Sequence, residues 1–378
     1  MYQLLAVCPM GLEAVVAKEV NALGYETTVE NGRIFFEGDE TAIAKSNLWL
    51  RTADRVRLVM GRFKATTFEE LFEQTKALPW ETIITEDGNF PVQGRSVKST
   101  LHSVPDVQAI VKKAIVERLK DAYAHKGWLD ETGSKYPLEV AIHKDEVLLT
   151  IDTSGSGLNK RGYRLAQGEA PIKETLAAAL IRLANWDGNT PLIDPFCGSG
   201  TIAIEACLIA QNIAPGFNRS FVSEQWDIMP DDLYEQLRDE ADQQSDYDKE
   251  VEVYAYDIDP EMVDIAIRNA EEVGLSEVIQ FGVKDVNTLD IHTDQPIALI
   301  GNPPYGERIG DREEVEEMYR YLGKLMRQHK NLSEYILTSN KEFEFLTQQK
   351  ATKRRKLFNG YIECTYYQYW GKKPESKS

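Results

Sequence analysis

The sequence has little of what staples a chain or holds a metal. Among its 378 residues are four cysteines, Cys8, Cys197, Cys207 and Cys364, no two at C-x-x-C spacing. A zinc ribbon and a thioredoxin-like pair are therefore unsupported. The five histidines (His102, His125, His143, His292 and His329) are far apart and read as surface or core residues rather than ligands. No metal site is expected. Met1 to Leu5 has no basic residue and is only a short apolar stretch, so a signal peptide is not expected. No run of about 18 apolar residues is present, so no membrane-spanning helix is expected. Scattered thiols without a leader fit a cytoplasmic protein. Neither G-x-x-x-x-G-K-[ST] nor G-x-G-x-x-G occurs, so a P-loop and a dinucleotide fingerprint are missing too. Positive charge is short: 43 Lys and Arg stand against 61 Asp and Glu, a net charge of −18. That excludes a simple cationic coat for nucleic acid, though not local basic patches.

What remains is an ordinary globular composition, 42% hydrophobic and 28% charged, at a length that accommodates two to three domains. Residues 1–43 read as a small α+β unit: an apolar run at Gln3–Val7, a helical stripe of Leu12, Val15, Val16, Val20 and Leu23, and two strands flanking the Asn31-Gly32 hairpin signal. Residues 44–155 continue as α+β. Strands are expected over 55–63 and 91–96, helices over 67–78 and 106–124, and a hairpin from 138–143 and 146–152. Thr153-Ser154-Gly155-Ser156-Gly157 marks a boundary, and 156–170 reads as a linker. From 171 to 371 short apolar β-runs (191–193, 252–256, 278–283, 297–300, 334–338, 363–370) alternate with helical segments (171–186, 199–211, 259–273, 313–329, 341–348). This is the pattern of an α/β doubly wound sheet. Residues 372–378 read as a frayed tail. An insertion spans 212–250; its part 223–250 holds 11 acidic and 2 basic residues and reads as a charged surface segment, with Asp231 to Asp242 a solvated helix.

Four short stretches lie at the ends of successive β-runs, where open α/β sheets bind ligands. Asp194-Pro195-Phe196-Cys197-Gly198-Ser199-Gly200-Thr201 is a strand end, a glycine turn and a helix start; glycines let a ligand approach backbone N–H groups. Asp257-Ile258-Asp259-Pro260 ends the second run. Asp257 is placed to accept ribose hydroxyls, while Asp259 reads first as a helix cap. Gly200 and Asp257 are 57 residues apart, and the acidic insertion accounts for the excess. Lys284-Asp285-Val286 ends the third run, and Asn302-Pro303-Pro304-Tyr305 the fourth.

These stretches resemble, in order, the motifs of class I S-adenosyl-L-methionine-dependent methyltransferases. Asp194–Thr201 is similar to their motif I in the amino-methyltransferase form, Pro171 to Thr175 to motif X, and Asn302–Tyr305 to motif IV of enzymes that methylate planar or exocyclic amines. The resemblance implies S-adenosyl-L-methionine as cofactor, with Pro171, Glu174, Asp194, Phe196, Gly198, Ser199, Gly200, Asp257, Ile258, Asp285 and Val286 around it. It implies Asn302, Pro303 and Tyr305 as catalytic. Asn302 and the Pro303 carbonyl would accept the two N–H bonds of the amine, and Tyr305 would stack on a base taken out of its helix.

The longer stretch Asn302 to Gly310, with NPPYGER, resembles the RlmL group of RNA guanine-N2 methyltransferases, and the likeness extends over nearly the whole chain. Residues 1–43 would then be the ferredoxin-like unit and 44–155 a THUMP RNA-binding domain, reading RNA shape more than sequence. The implied substrate is a guanine N2 of 23S rRNA, free or in a large-subunit precursor particle. Some members carry a second, fused methyltransferase; with the sequence ending at Ser378, no second activity is expected. Lys160, Arg161 and Arg164, and Lys353, Arg354 and Arg355, are the candidate phosphate contacts. The rival readings are a THUMP-type tRNA guanine-N2 methyltransferase, a DNA adenine or protein glutamine methyltransferase, and an inactive RNA-binding assembly protein.

Overall fold

The computed structural model describes residues 1–165, 171–305 and 311–372. The segment 166–170 of the expected linker, Gly306 to Gly310 of the NPPYGER stretch and the tail from 373 lie outside the described residues.

Two compact units form. The first comprises 1–8, 16–158 and 219–240. Its elements are β1 (Tyr2–Val7), α1 (Glu13–Ala22), β2 (Thr27–Glu30), β3 (Arg33–Gly38), α2 (Glu40–Trp49), β4 (Arg55–Lys64), α3 (Phe68–Lys76), β5 (Val92–Val97), α4 (Val104–Tyr123), β6 (Leu138–His143) and β7 (Glu146–Asp152). The strands make one seven-stranded sheet in the order β2-β3-β1-β4-β7-β6-β5. β4 is the seam: it pairs antiparallel with β1 on one side and with β7 on the other. The sheet is therefore continuous from the N-terminal hairpin to the end of the α+β stretch. Asn31-Gly32 turns the chain between Glu30 and Arg33, with Gly32 at φ +69°.

The second unit comprises 9–15, 159–218 and 241–378. It is built from α5 (Glu174–Leu183), β8 (Leu192–Asp194) and α6 (Thr201–Ala210), then, after α7 (Leu233–Gln244), from β9 (Val253–Asp257), α8 (Pro260–Glu271), β10 (Ile279–Val283), β11 (Ile297–Gly301), α9 (Asp311–Gln328), β12 (Leu332–Thr338), α10 (Phe343–Thr347), β13 (Lys353–Asn359) and β14 (Ile362–Tyr369). The sheet order is β10-β9-β8-β11-β12-β14-β13. The five strands β10 to β12 are parallel, and β14 joins β12 antiparallel. The direction of winding reverses between β8 and β11, and a crevice at the C-terminal ends of the strands follows from that reversal. Leu299, Leu322, Ile336 and Phe343 are fully buried in one apolar cluster under this sheet. α5 and α6 are apolar nearly all round because both are interior: every residue of α6 is buried.

Two sequence expectations change. The acidic segment is not simply a solvated helix. Tyr234 and Leu237 of α7 are buried, Phe221 stacks on Tyr234 at 5.6 Å, and Trp226 stacks on Tyr136 at 5.2 Å. The Trp226 indole N–H donates to the Lys135 carbonyl at 2.8 Å. An apolar stripe at helical spacing is interleaved with the carboxylates, and the charge hides it. The second change is β13, a strand where a basic run was expected. Arg354 and Lys356 are exposed, while Arg355 is half-buried and Leu357 buried on the alternate positions.

Candidate active site

The crevice holds a cavity of about 510 Å³ at the ends of β8, β9, β10 and β11, and most of the residues singled out from the sequence line it. Pro171, Asp194, Phe196, Gly198, Ser199, Asp257, Ile258, Asp285, Val286, Asn302, Pro303 and Tyr305 are all in its wall. Because the strands are parallel, each strand end delivers its side chain to the same edge of the sheet.

The glycine turn after β8 is tied to the end of β9 and to α8. Gly198 adopts φ +50° and Gly200 φ +83°, conformations that a side chain disfavours. The Gly198 N–H donates to Asp257 Oδ2 at 2.9 Å, tying the turn to the end of β9. Asp257 Oδ1 accepts the Asp259 N–H at 3.0 Å. Asn269, fully buried on α8, donates from Nδ2 to the Ser199 carbonyl at 3.0 Å. Asp259 caps α8 by accepting the Glu261 N–H at 2.9 Å, as its position before Pro260 implies. Asp285 likewise accepts the Asn287 N–H at 2.9 Å and opens a short 3₁₀ turn beside the cavity.

Asp194 is fully buried, with Oδ1 accepting the Phe196 N–H at 3.1 Å and Oδ2 without a protein partner. Burial, with a further contribution from Asp257, pushes its carboxyl up to about 8. Burial also pushes the Cys197 thiol well above its ordinary range. Cys197 therefore stays protonated and is no nucleophile.

At the end of β11 a directional hydrogen-bond chain forms. The Asn359 Nδ2 donates to the Tyr305 hydroxyl at 3.1 Å, and the Tyr305 hydroxyl donates to Asn302 Oδ1 at 2.7 Å. Burial pushes the Tyr305 hydroxyl up, so it keeps its proton and remains a donor. With Oδ1 accepting from Tyr305, the orientation of the Asn302 amide is set. The Pro304 carbonyl accepts from the hydroxyl of Tyr319 on α9 at 3.1 Å, and that hydroxyl also pairs with Thr338 Oγ1 at 2.9 Å. The loop thus rests on α9, β12 and β13.

Several expected residues stand elsewhere. Glu174 is buried outside the cavity wall and faces Arg164, Oε1 to Nε 3.2 Å; burial raises its carboxyl. Gly200 is also outside the wall. Its Cα packs on α8, where an added Cβ would meet the Ala266 Cβ at 3.0 Å. Arg161 is buried and paired with Glu205 at 3.2 Å, so it is not a phosphate contact in this fold. Arg164 donates to the Ile172 carbonyl and to Thr201 Oγ1, both at 2.8 Å, and braces the Pro171-Ile172 segment against α6. A run of cations beside a glycine is as well suited to a buried ion-pair network as to phosphate, and here the network prevails. Lys160 and Lys353 are exposed, Arg354 is paired with Glu344 at 2.9 Å, and Arg355 is half-buried. Met262, Lys284, Met318, Asn359 and Ile362 also line the cavity. Lys284 belongs to the third stretch, beside Asp285; Met262 and Met318 arrive from the faces of α8 and α9, and Asn359 and Ile362 from the β13–β14 hairpin.

Among the described residues no cluster of His, Cys, Asp or Glu is arranged to hold a metal, and no helix is long and apolar enough to cross a membrane.

The sequence matches three family patterns: an RlmL ferredoxin-like domain over residues 3–57, a THUMP domain over 65–152, and an RMKL-like methyltransferase domain over 161–368. A putative RNA methyltransferase, YpsC of Bacillus subtilis, is 56% identical, with 100% of this chain and 98% of that protein covered. The ribosomal RNA large subunit methyltransferase K/L of Shewanella frigidimarina is 31% identical over 98% of this chain. The chain spans about half of that relative, 53% of its length. Among solved structures, SMU.472, a putative methyltransferase complexed with S-adenosylhomocysteine (SAH), is 44% identical with a TM-score of 0.94, covering 99% of both chains. The cavity suits the cofactor that this kinship implies. Asp194 Oδ2 is a buried polar oxygen in the cavity wall with no protein partner, and the space where a Cβ would stand at Gly198 is open to at least 4 Å. The chain belongs to the RMKL-like methyltransferases, S-adenosylmethionine-dependent enzymes of the class I fold, here preceded by a ferredoxin-like and a THUMP domain.

Proposed function

We propose that this enzyme methylates the exocyclic N2 of a guanine in 23S rRNA, free or in a large-subunit precursor particle, in the cytoplasm. The observation that carries the reading is the Asn359–Tyr305–Asn302 chain at the end of β11, beside the acids of β8 and β9. S-adenosylmethionine, when bound, supplies a methyl group on a positively charged sulfur, open to attack by an amine. Asp257 and Asp285 stand to accept from its ribose and adenine, Ile258 and Val286 to pack its ring, and Asp194 Oδ2 to accept from its methionine end.

The rest is the work of this chain's residues on the target. An amine conjugated to a ring is a poor nucleophile because its lone pair is delocalised. The Asn302 amide oxygen has a second lone pair beyond the one that Tyr305 occupies, and it accepts one N–H of the target. The Pro303 carbonyl accepts the other. Two acceptors on the two N–H bonds localise the nitrogen lone pair and aim it away from the loop. Adjacent prolines and the Tyr319 contact hold that geometry in advance, so little reorganisation is needed. The product cation is acidic and loses its proton to water, so no general base is required. The THUMP domain and the K/L relative support an RNA target over a DNA adenine or a protein glutamine.

The test is methyl transfer from labelled S-adenosylmethionine to separate pools of unmodified 23S rRNA and tRNA, with the nucleoside identified by mass spectrometry. N2-methylguanosine in the 23S pool is the expected result. The same nucleoside in tRNA alone overturns the target and keeps the chemistry.

A further inference from the structure

The β13–β14 hairpin ends beside the cavity in a feature that the methyl-transfer chemistry does not use. Asn359 pairs with Ile362 across the hairpin, so Gly360 and Tyr361 form a two-residue turn. Gly360 has φ +62° at the first central position, where such turns take glycine. Both residues flanking the turn, Asn359 and Ile362, line the cavity, and Asn359 is bonded to Tyr305. Tyr361 stands between them and is wholly in solvent, at 105% exposure. A single exposed aromatic needs no explanation on most surfaces. This one is carried by a tight turn braced to the catalytic loop, at a cavity rim that also exposes Ile258 at 67% and Ile362 at 38%. Exposed Lys353 lies on the same hairpin. A ring presented by a rigid turn loses little freedom when it stacks.

We propose that Tyr361 is a wedge that stacks on the RNA nucleotide next to the one drawn into the cavity, taking the place of the extruded base. This rests on the reading above that the substrate is a base within structured RNA. A base enters such a cavity only by leaving its stack, and the neighbour then exposes a flat apolar face. The turn offers a ring for that face one residue away from the cavity wall. Ile362 and Ile258 line the cavity and are exposed, and the hydrogen bond from Asn359 ties the hairpin to the Asn302–Tyr305 loop.

The test compares Tyr361→Ala and Tyr361→Phe with the native enzyme on 23S rRNA, with S-adenosylhomocysteine affinity as the check on folding. The side chain is in solvent, so neither change disturbs the core. Loss of one base–aromatic stack lowers kcat/KM by roughly ten- to a hundredfold. Tyr361→Phe restores it, because the ring and not the hydroxyl makes the stack. Full kcat/KM in Tyr361→Ala overturns the wedge. A second measurement does not depend on turnover. The four native cysteines are buried, so a Tyr361→Cys variant takes a benzophenone maleimide selectively. Photocross-linking to 23S rRNA at an immediate neighbour of the methylated nucleotide is expected. Cross-links only to distant nucleotides, or only to a protein partner, overturn the proposal. If the native enzyme places its methyl on another RNA, the reading of the target fails by itself, and the same cross-link on that RNA decides the role of Tyr361: contact beside the methylated nucleotide supports the wedge, and contact only with distant nucleotides overturns it.

Discussion

Tyr305 does more than line a wall. Its hydroxyl receives hydrogen bonds from Asn359 and from the Cys364 thiol and gives one to Asn302, so it converts the position of the β13–β14 hairpin into the orientation of the Asn302 amide. Tyr305→Phe removes that relay while keeping the ring. Turnover is expected to fall by about tenfold, the worth of one well-placed hydrogen bond, with S-adenosylhomocysteine affinity unchanged in a calorimetric titration. Asn302→Ala removes the acceptor itself, and turnover falls much further, again with cofactor affinity kept. A tenfold fall in affinity in either variant would mean that the loop serves the cofactor instead. Asp194 yields a pH prediction. Its carboxyl ionises near 3.8 in the unfolded chain and at about 8 when buried. Folding therefore takes up a proton between those values, and stability falls as pH rises through that window, by on the order of 5 kcal/mol at full amplitude. Asp194→Asn flattens this fall in thermal melts of the ligand-free protein from pH 4 to 8, and weakens cofactor binding. Of the cavity wall, Asp194, Gly198, Asp257, Asp285 and Asn302 were legible in the sequence because each sits at or just after a strand end. Asn269, Asn359 and Tyr319 were not, because a buried polar residue on a helix or strand announces itself only once its partner is in place.

Among the elements, the alternation of β-runs and helices from 171 onward was readable because interior parallel strands are continuous apolar runs and their helices carry regular stripes. The order of the strands was not readable, since nothing local distinguishes a strand that pairs with its predecessor from one that crosses over. β13 was missed because an edge strand needs only one buried position among its seven residues, here Leu357. α7 was misread for a related reason: acidic side chains dominate its composition, although its stripe is apolar. The close fit of α6 to α8 yields a prediction. Gly200 sits at φ +83° with Ala266 against it. Gly200→Ala forces both a left-handed alanine and a displaced helix, and is expected to cost roughly 1–3 kcal/mol in urea unfolding. It also weakens cofactor binding, because the same turn carries Gly198. An unchanged midpoint would mean that α8 yields freely.

For the whole molecule, the difficulty is a chain of net charge −18 that must hold a polyanion. Attraction therefore has to come from a few local cations, and the fold narrows which ones. Arg161 is consumed by Glu205 inside the protein, Arg164 by the segment it braces, and Arg354 is paired with Glu344. Lys353 is exposed on the same hairpin as Tyr361 and remains. Each phosphate that a lysine neutralises releases counterions, so log affinity falls with log salt concentration by about 0.7 per contact on single strands and 0.9 on duplex. Lys353→Glu is expected to weaken binding to 23S rRNA and to shallow that slope by about one such contact. Arg161→Ala behaves oppositely: it strands Glu205 in the interior, lowers the unfolding midpoint, and leaves the salt slope of the protein that remains folded where it was. Filter binding across a salt series, run beside melts of both variants, separates the two roles. A slope altered by Arg161→Ala but not by Lys353→Glu would place the RNA path away from the hairpin, on the side of the residues around Lys160.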